Sequence, residues 1–269
     1  MTYKKVLAAV PDSPVSADVL RAGSDIANAA GAALIALRLV DDPWPYIEPG
    51  EVEAKRALRD NAWHRVATGR VTDELHELSA QTSGVAATPA VRFGPPRDEI
   101  ARSADADRAD LIVLGRPPVG PPEPAPSTWA LDGTLRRARV PCLIVPPGHR
   151  GWQRIVVLAD GSLAMADVLK AAFALAGLFR SDVVVVETAP ESERDGRKAF
   201  AEWARLPGAG AFDVRVHQGD PATAAADAAR AERADVIVMG YPRGAGITDA
   251  SPLARIVRGA PCAVLAVPV

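Results

Sequence analysis

The chain has 269 residues, 48% of them hydrophobic and 24% charged, with a formal net charge of -2 at pH 7. That length fits one large domain or two ordinary ones of about 100–150 residues, and the near-neutral charge gives no electrostatic reason to expect nucleic acid or an anionic membrane as partner. No apolar run of about 18 residues is available to span a bilayer, and the opening MTYKKVLAAVPDS is broken by Pro11 too soon for a signal peptide, so the expected location is the cytoplasm.

KKVLAAV (4–10) reads as a short buried strand, and PDSPVSADVLRAGSDIANAAG as turn residues, then a helix with Val19, Leu20, Ile26 and Ala29 on its apolar face, stopped at Gly31. AALIALRLV (32–40) is the second strand. A Pro-rich loop follows, then a charged helix over about 51–80 whose buried face is marked by Leu58, Ala62, Val66, Val71, Leu75 and Leu78, with Gly69 as a point of interruption. TPAVRFG (88–94), DLIVLG (110–115) and PCLIVP (141–146) are the remaining strands of this half, the first two each followed by a helix. Continuous apolar strands alternating with helices predict a parallel sheet covered on both faces. Aromatic residues are only 5% of the chain, so Val, Leu, Ile and Ala must build a core in each half.

After PPGHRG (146–151) the pattern restarts. ADVLRA at 17–22 returns as ADVLKA at 166–171, 149 residues later, and ADLIVLG at 109–115 returns as ADVIVMG at 234–240, 125 residues later. The offset shrinks mainly because the second half has a shorter second helix, over about 192–206, and a shorter loop after the fourth strand brings it down to 120 at Cys142 and Cys262. Duplication followed by divergence explains the pattern. Cys142 and Cys262 fall at matching places inside apolar strands; buried reduced thiols are expected, with a cross-domain disulfide as the alternative.

In doubly wound sheets ligands bind beyond the carboxyl ends of the strands, so the loops after the first and fourth strands of each half are the candidate sites. In the second half the former is Asp160-Gly161-Ser162, an acid and a hydroxyl able to hydrogen-bond a ribose or a base edge, or to cap the next helix. The first half has Pro11-Asp12-Ser13 there, with the acid displaced by one residue. After the fourth strand the second half offers Gly240, Arg243, Gly244 and Gly246, with Ser251-Pro252 as the N-cap and first residue of a helix. Glycines, a cation and a helix N-terminus suit an anion such as a polyphosphate, although Asp249 opposes one. The matching first-half loop runs from Gly115 to Thr128 and contains six prolines, which have no N–H to give. It reads as a stiff cover.

Trp44 and Tyr46 could stack on a base or pack on the neighbouring helix. His64, His76, His149 and His217 lack metal-ligand spacing and are expected at the surface or its boundary. No GxSxG elbow, HExxH pair or P-loop lysine occurs, so no catalytic or metal-ligating residue is assigned.

KKVLAAVPDS, RADLIVLG and LRRARVPCLIVP in the first half, and IVVLADGS, VHQGDP, RADVIVMG and ARIVRGAPCAVLAVP in the second, resemble the universal stress protein family in its tandem form, over nearly the whole chain. The resemblance implies two Rossmann-like α/β domains of the adenine nucleotide alpha hydrolase-like kind, over 1–148 and 152–269, each a five-stranded parallel sheet with helices on both faces. ATP-binding members share a loop G-x2-G-x9-G-[ST] and an acid at the first strand end. In the first half Gly115 matches, but Pro118 replaces the second glycine, Thr128 and Trp129 replace the Gly-Ser pair, and Pro11 occupies the acid's place. In the second half Asp160, Gly240 and Ser251 match, Arg243 replaces the second glycine, Ala250 the third, and the loop is about three residues short. The resemblance therefore implies ATP or another adenine nucleotide in the second half alone, held by Asp160, Gly161, Ser162, Gly240, Arg243, Gly244, Gly246 and Ser251. It also implies pairing through the closing strands, within one chain as a pseudo-dimer or between chains as a homodimer. A scaffold acting through protein partners, and a weak ATP-hydrolysing enzyme, are the alternatives.

Overall fold

The structure is a computed structural model. It describes residues 2–40, 63–82, 84–116, 126–159, 165–188, 205, 212–216, 220–244 and 251–269. In chain order the first half comprises β1 (Lys5–Ala9), α1 (Ser16–Ala30), β2 (Ala33–Val40), α2 (Trp63–Ala80), β3 (Thr88–Phe93), α3 (Pro96–Asp107), β4 (Leu111–Gly115), α4 (Pro126–Arg137) and β5 (Cys142–Val145). The second comprises β6 (Arg154–Ala159), α5 (Met165–Phe179), β7 (Asp182–Glu187), β8 (Phe212–Val216), α6 (Pro221–Ala231), β9 (Val236–Tyr241), α7 (Pro252–Gly259) and β10 (Ala263–Pro268).

All ten strands form one sheet in the order β3-β2-β1-β4-β5-β10-β9-β6-β7-β8. Within each half every pairing is parallel, as the unbroken apolar strands predict. The halves join where β5 meets β10 antiparallel, with Ile144 opposite Val264 and Cys142 opposite Ala266. This pairing covers the two edges that the closing strands would otherwise expose. The same register separates the cysteines: Cys262 lies four residues beyond Ala266, about 13 Å at ~3.3 Å per residue, too far for a disulfide. Both thiols are free and buried.

The cores do not divide as the repeat suggests. Instead of one core per half there is one per face of the sheet, and each runs through both halves. The first gathers Val19, Leu20 and Ile26 of α1, Leu75 of α2, and Val168, Leu169 and Phe173 of α5. The second gathers Ile100 of α3, Leu135 of α4, Ala225 of α6 and Ile256 of α7. A continuous sheet leaves no gap at which an apolar layer could stop.

Several local expectations are corrected. Helix α2 passes through Gly69 unbroken, and Val66 is 70% exposed. On α1, Ala29 is exposed while Ala22 and Ala27 are buried. The edge strands β3 and β8 are only partly buried, because each has a neighbour on one side alone. His149 is buried at 8% exposure, edge-on to Trp152 with ring centroids 4.7 Å apart. Leu58, Ala62, Trp44, Tyr46 and His217 lie outside the described residues.

Candidate functional site

The strand order places a topological switch point between β1 and β4 in the first half and between β6 and β9 in the second. These are the crevices where doubly wound sheets take ligands. They differ. In the first half β1 and β4 stay paired up to Ala9 and Leu114. In the second, pairing stops at Val157 and Val238, one position earlier in the repeat, so β6 and β9 part sooner at their carboxyl ends.

Of the residues assigned from sequence, Gly240, Arg243, Gly244 and Ser251 are described; Asp160, Gly161, Ser162 and Gly246 lie outside the described residues. Gly240, the penultimate residue of β9, lies beside α5: a Cβ added there would meet Val168 Cγ2 at 3.0 Å. Gly115, its twin in the first half, is closer still, 2.5 Å from Val15 Cγ1. Both glycines thus admit the helix that follows the half's first strand. Arg243 is exposed, and its N–H donates to the Val269 carbonyl at 3.1 Å. Gly244 holds φ at 77°, a turn that favours glycine. Ser251 caps α7 as the Ser-Pro pair predicts, its Oγ accepting from the Ala254 N–H at 3.2 Å.

Beside this cap, Arg255 donates to both oxygens of Asp220 at 2.6 and 2.7 Å. Asp220 also caps α6 by accepting from the Thr223 N–H at 2.9 Å. The Arg255 hydrogen bonds, with those from Thr223, hold its carboxyl down to about 2. The acid of VHQGDP therefore ties two helix N-termini together at the carboxyl edge of the second half.

Sequence reasoning missed four features. First, the acid of the repeated AD motif works at the opposite edge of the sheet. Asp110 accepts from the Lys4 and Lys5 N–H groups at 2.7 and 2.9 Å, and Asp235 accepts from Gln153 and Arg154 at 2.6 and 3.0 Å. Each fastens the amino end of its half's first strand, which explains its repetition without a ligand. A polar depression of about 390 Å³ lies there, lined by Gln153, Asp235 and the ion-paired Arg154, Asp182 and Glu232.

Second, Arg116, directly after Gly115, reaches into the other half. It donates to the Ala260 carbonyl at 2.7 Å and to the Cys262 carbonyl, at the end of α7 in the other half. Burial lowers its pKa below the usual arginine range. Third, Tyr241, its twin after Gly240, donates its hydroxyl to the Leu135 carbonyl of α4 at 3.0 Å. Burial raises the phenol's pKa. Each candidate loop is thus fastened at its root to the helix beyond the other loop. No sequence signal distinguishes these two residues, because their partners are carbonyls in the opposite half.

Fourth, Arg38 and Glu187 hold the same place in the repeat, 149 residues apart at the carboxyl ends of β2 and β7, and both are 5% exposed. Arg38 lies 3.8 Å from Asp12, in the loop after β1, and 3.7 Å from Glu74. Glu187 Oε2 has no hydrogen-bond partner among the described residues.

Two doubly wound α/β units, fused through their closing strands and carrying unequal switch-point crevices, define the class of protein. The sequence profile of the universal stress protein family matches residues 2–146 and again 151–268. The chain belongs to that family, in tandem form. Among solved structures it is similar to a universal stress protein from Archaeoglobus fulgidus, at 16% identity and a TM-score of 0.70 over 100% of this chain and 99% of that one. It is also similar to a functionally unknown protein from Pseudomonas aeruginosa PAO1, at 17% identity and a TM-score of 0.67 over 99% of this chain and 92% of the other. At such identities the likeness shows the fold alone. No curated protein matches the chain.

Proposed function

We propose that this protein is a stress-response binding module of the cytoplasm whose second half, over 152–269, takes an adenine nucleotide such as ATP, while the first half, over 1–148, takes none. The observation that carries the reading is that the pairing of β6 with β9 ends one position earlier in the repeat than that of β1 with β4. Asp160, Gly161 and Ser162 follow β6 in the sequence, and the sequence from Gly240 through Arg243, Gly244 and Gly246 leads to α7, whose N-terminus is capped by Ser251. A capped helix N-terminus with glycines before it suits a phosphate group.

The first crevice is supplied differently. Asp12 is drawn towards Arg38 and Arg116 is committed to the other half, and the loop's six prolines offer no amide donors. We assign no catalytic residue and no metal. Among the described residues no group of His, Cys, Asp and Glu could hold a metal ion, and no helix is long and apolar enough to cross a membrane.

A second reading, a scaffold that binds protein partners and no nucleotide, draws support from Gly240, which helix packing alone accounts for. With β5 and β10 paired inside one chain, the closing strands act as a pseudo-dimer, and any homodimer uses another surface. Native mass spectrometry of freshly purified protein tests the two readings. A mass increment of one nucleotide per chain, retained or restored on adding ATP, is expected. An unliganded mass at millimolar ATP favours the scaffold, and two increments per chain would contradict the silent first half.

A further inference from the structure

Glu187 is the one residue at the carboxyl edge of the second half, among those described, that combines deep burial with an orphaned polar atom. Burying a carboxylate without donors is costly, so its retention calls for a donor supplied from elsewhere. Strand alternation sets its side chain on the α5 face with Val183 and Val185. Its backbone pairs with Ala159, the residue before Asp160, and Thr188 donates both its N–H and its hydroxyl to the Ala159 carbonyl at 3.2 and 3.3 Å. At the twin position Arg38, whose side chain is longer, comes within 3.8 Å of Asp12, in the loop after the first strand of its own half. Glu187 therefore lies beside the last residue of β6, which Asp160 follows in the sequence. There it offers two acceptors and no donor.

Vicinal hydroxyls match that need. They present two donors at the spacing of a carboxylate's two oxygens, and an acid at the end of the second strand reads ribose in other doubly wound sheets. We propose that Glu187 accepts the 2′- and 3′-hydroxyls of the ligand's ribose, so that the second half selects ribonucleotides over deoxyribonucleotides. The proposal rests on the nucleotide reading above.

The test titrates the full-length protein, wild type and Glu187→Met, with ATP and with 2′-deoxy-ATP, and records thermal unfolding of each ligand-free protein. Methionine keeps the volume and removes both acceptors. Expected are at least tenfold tighter binding of ATP than of 2′-deoxy-ATP by the wild type, loss of that ratio in Glu187→Met, and a ligand-free Glu187→Met protein that melts higher. Equal affinity of the wild type for the two nucleotides overturns the proposal and leaves nucleotide binding intact, and this comparison needs no variant to fold. A ratio kept in Glu187→Met, with a lowered melting temperature, assigns Glu187 to a structural pairing and also overturns it. Absence of binding to either nucleotide at millimolar concentration removes the nucleotide reading and the proposal together.

Discussion

Among the described residues three arginines carry a left-handed backbone at helix ends: Arg108 at φ 53°, Arg180 at 57° and Arg233 at 51°. A side chain in that region costs about 1–2 kcal/mol. The twin of Arg180 is Gly31, at φ 63° and 149 residues earlier, so one half has relieved a strain that the other keeps. Arg180→Gly should therefore stabilise the fold by roughly 0.5 kcal/mol, after the entropy that glycine adds to the unfolded chain. The urea midpoint should rise; a fall would mean that the arginine side chain outweighs its backbone. His149 supplies a pH signature. Burial lowers its pKa below 6.5, against smaller opposing effects of Asp235, Asp25 and Asp18, so the folded protein binds fewer protons than the unfolded chain just below that value. The resulting stability is present above about pH 6.5 and declines as pH falls towards the depressed folded value. His149→Gln should flatten the melting temperature against pH in that window, and an unchanged slope would refute the assignment. At this scale the sequence was partly legible. Ser251-Pro252 announced a cap that the structure has, because capping is decided by neighbours in the chain. Arg116, Glu187 and the buried state of His149 were not legible, because their surroundings come from residues far along the chain.

Among the elements, α3 and α4 approach most closely where α4 carries Gly133. A Cβ there would come within 2.5 Å of the Arg97 carbonyl oxygen at the start of α3. Gly133→Ala raises helix propensity yet should destabilise the protein by about 1–3 kcal/mol through overpacking, read from equilibrium unfolding; a stabilised variant would show that the helices can separate at no cost. Parallel pairing within each half was legible, since unbroken runs such as DLIVLG and RIVVLA suit strands buried on both faces, whereas the antiparallel joint of β5 and β10 was not. The partial exposure of β3 and β8 was not, because edge position depends on strand order. The exposure of Val66 was missed for a related reason: a helical stripe marks a face without fixing how far the neighbouring layer extends beneath it.

For the whole molecule, duplication was plain from the two AD motifs and their 125-residue offset, whereas fusion of the cores was not. Because both apolar layers run through both halves, unfolding should be a single cooperative transition, with calorimetric and van't Hoff enthalpies in agreement. Two resolved transitions would show that the halves are energetically separate. The Tyr241 hydroxyl on the Leu135 carbonyl belongs to this joint, and Tyr241→Phe should lower stability by about 1 kcal/mol while keeping the transition single. The same hydrogen bond, with its twin at Arg116, fastens the root of each candidate loop to the opposite half. A ligand bound in the second half is therefore expected to protect amides in α4, which hydrogen exchange would register.

Inequality between the two crevices is the central claim, and binding stoichiometry tests it most directly. Isothermal titration of the full-length protein with ATP should give one site per chain, abolished by Asp160→Ala and kept in Asp12→Ala. Two sites per chain, or a single site that survives Asp160→Ala, would contradict it.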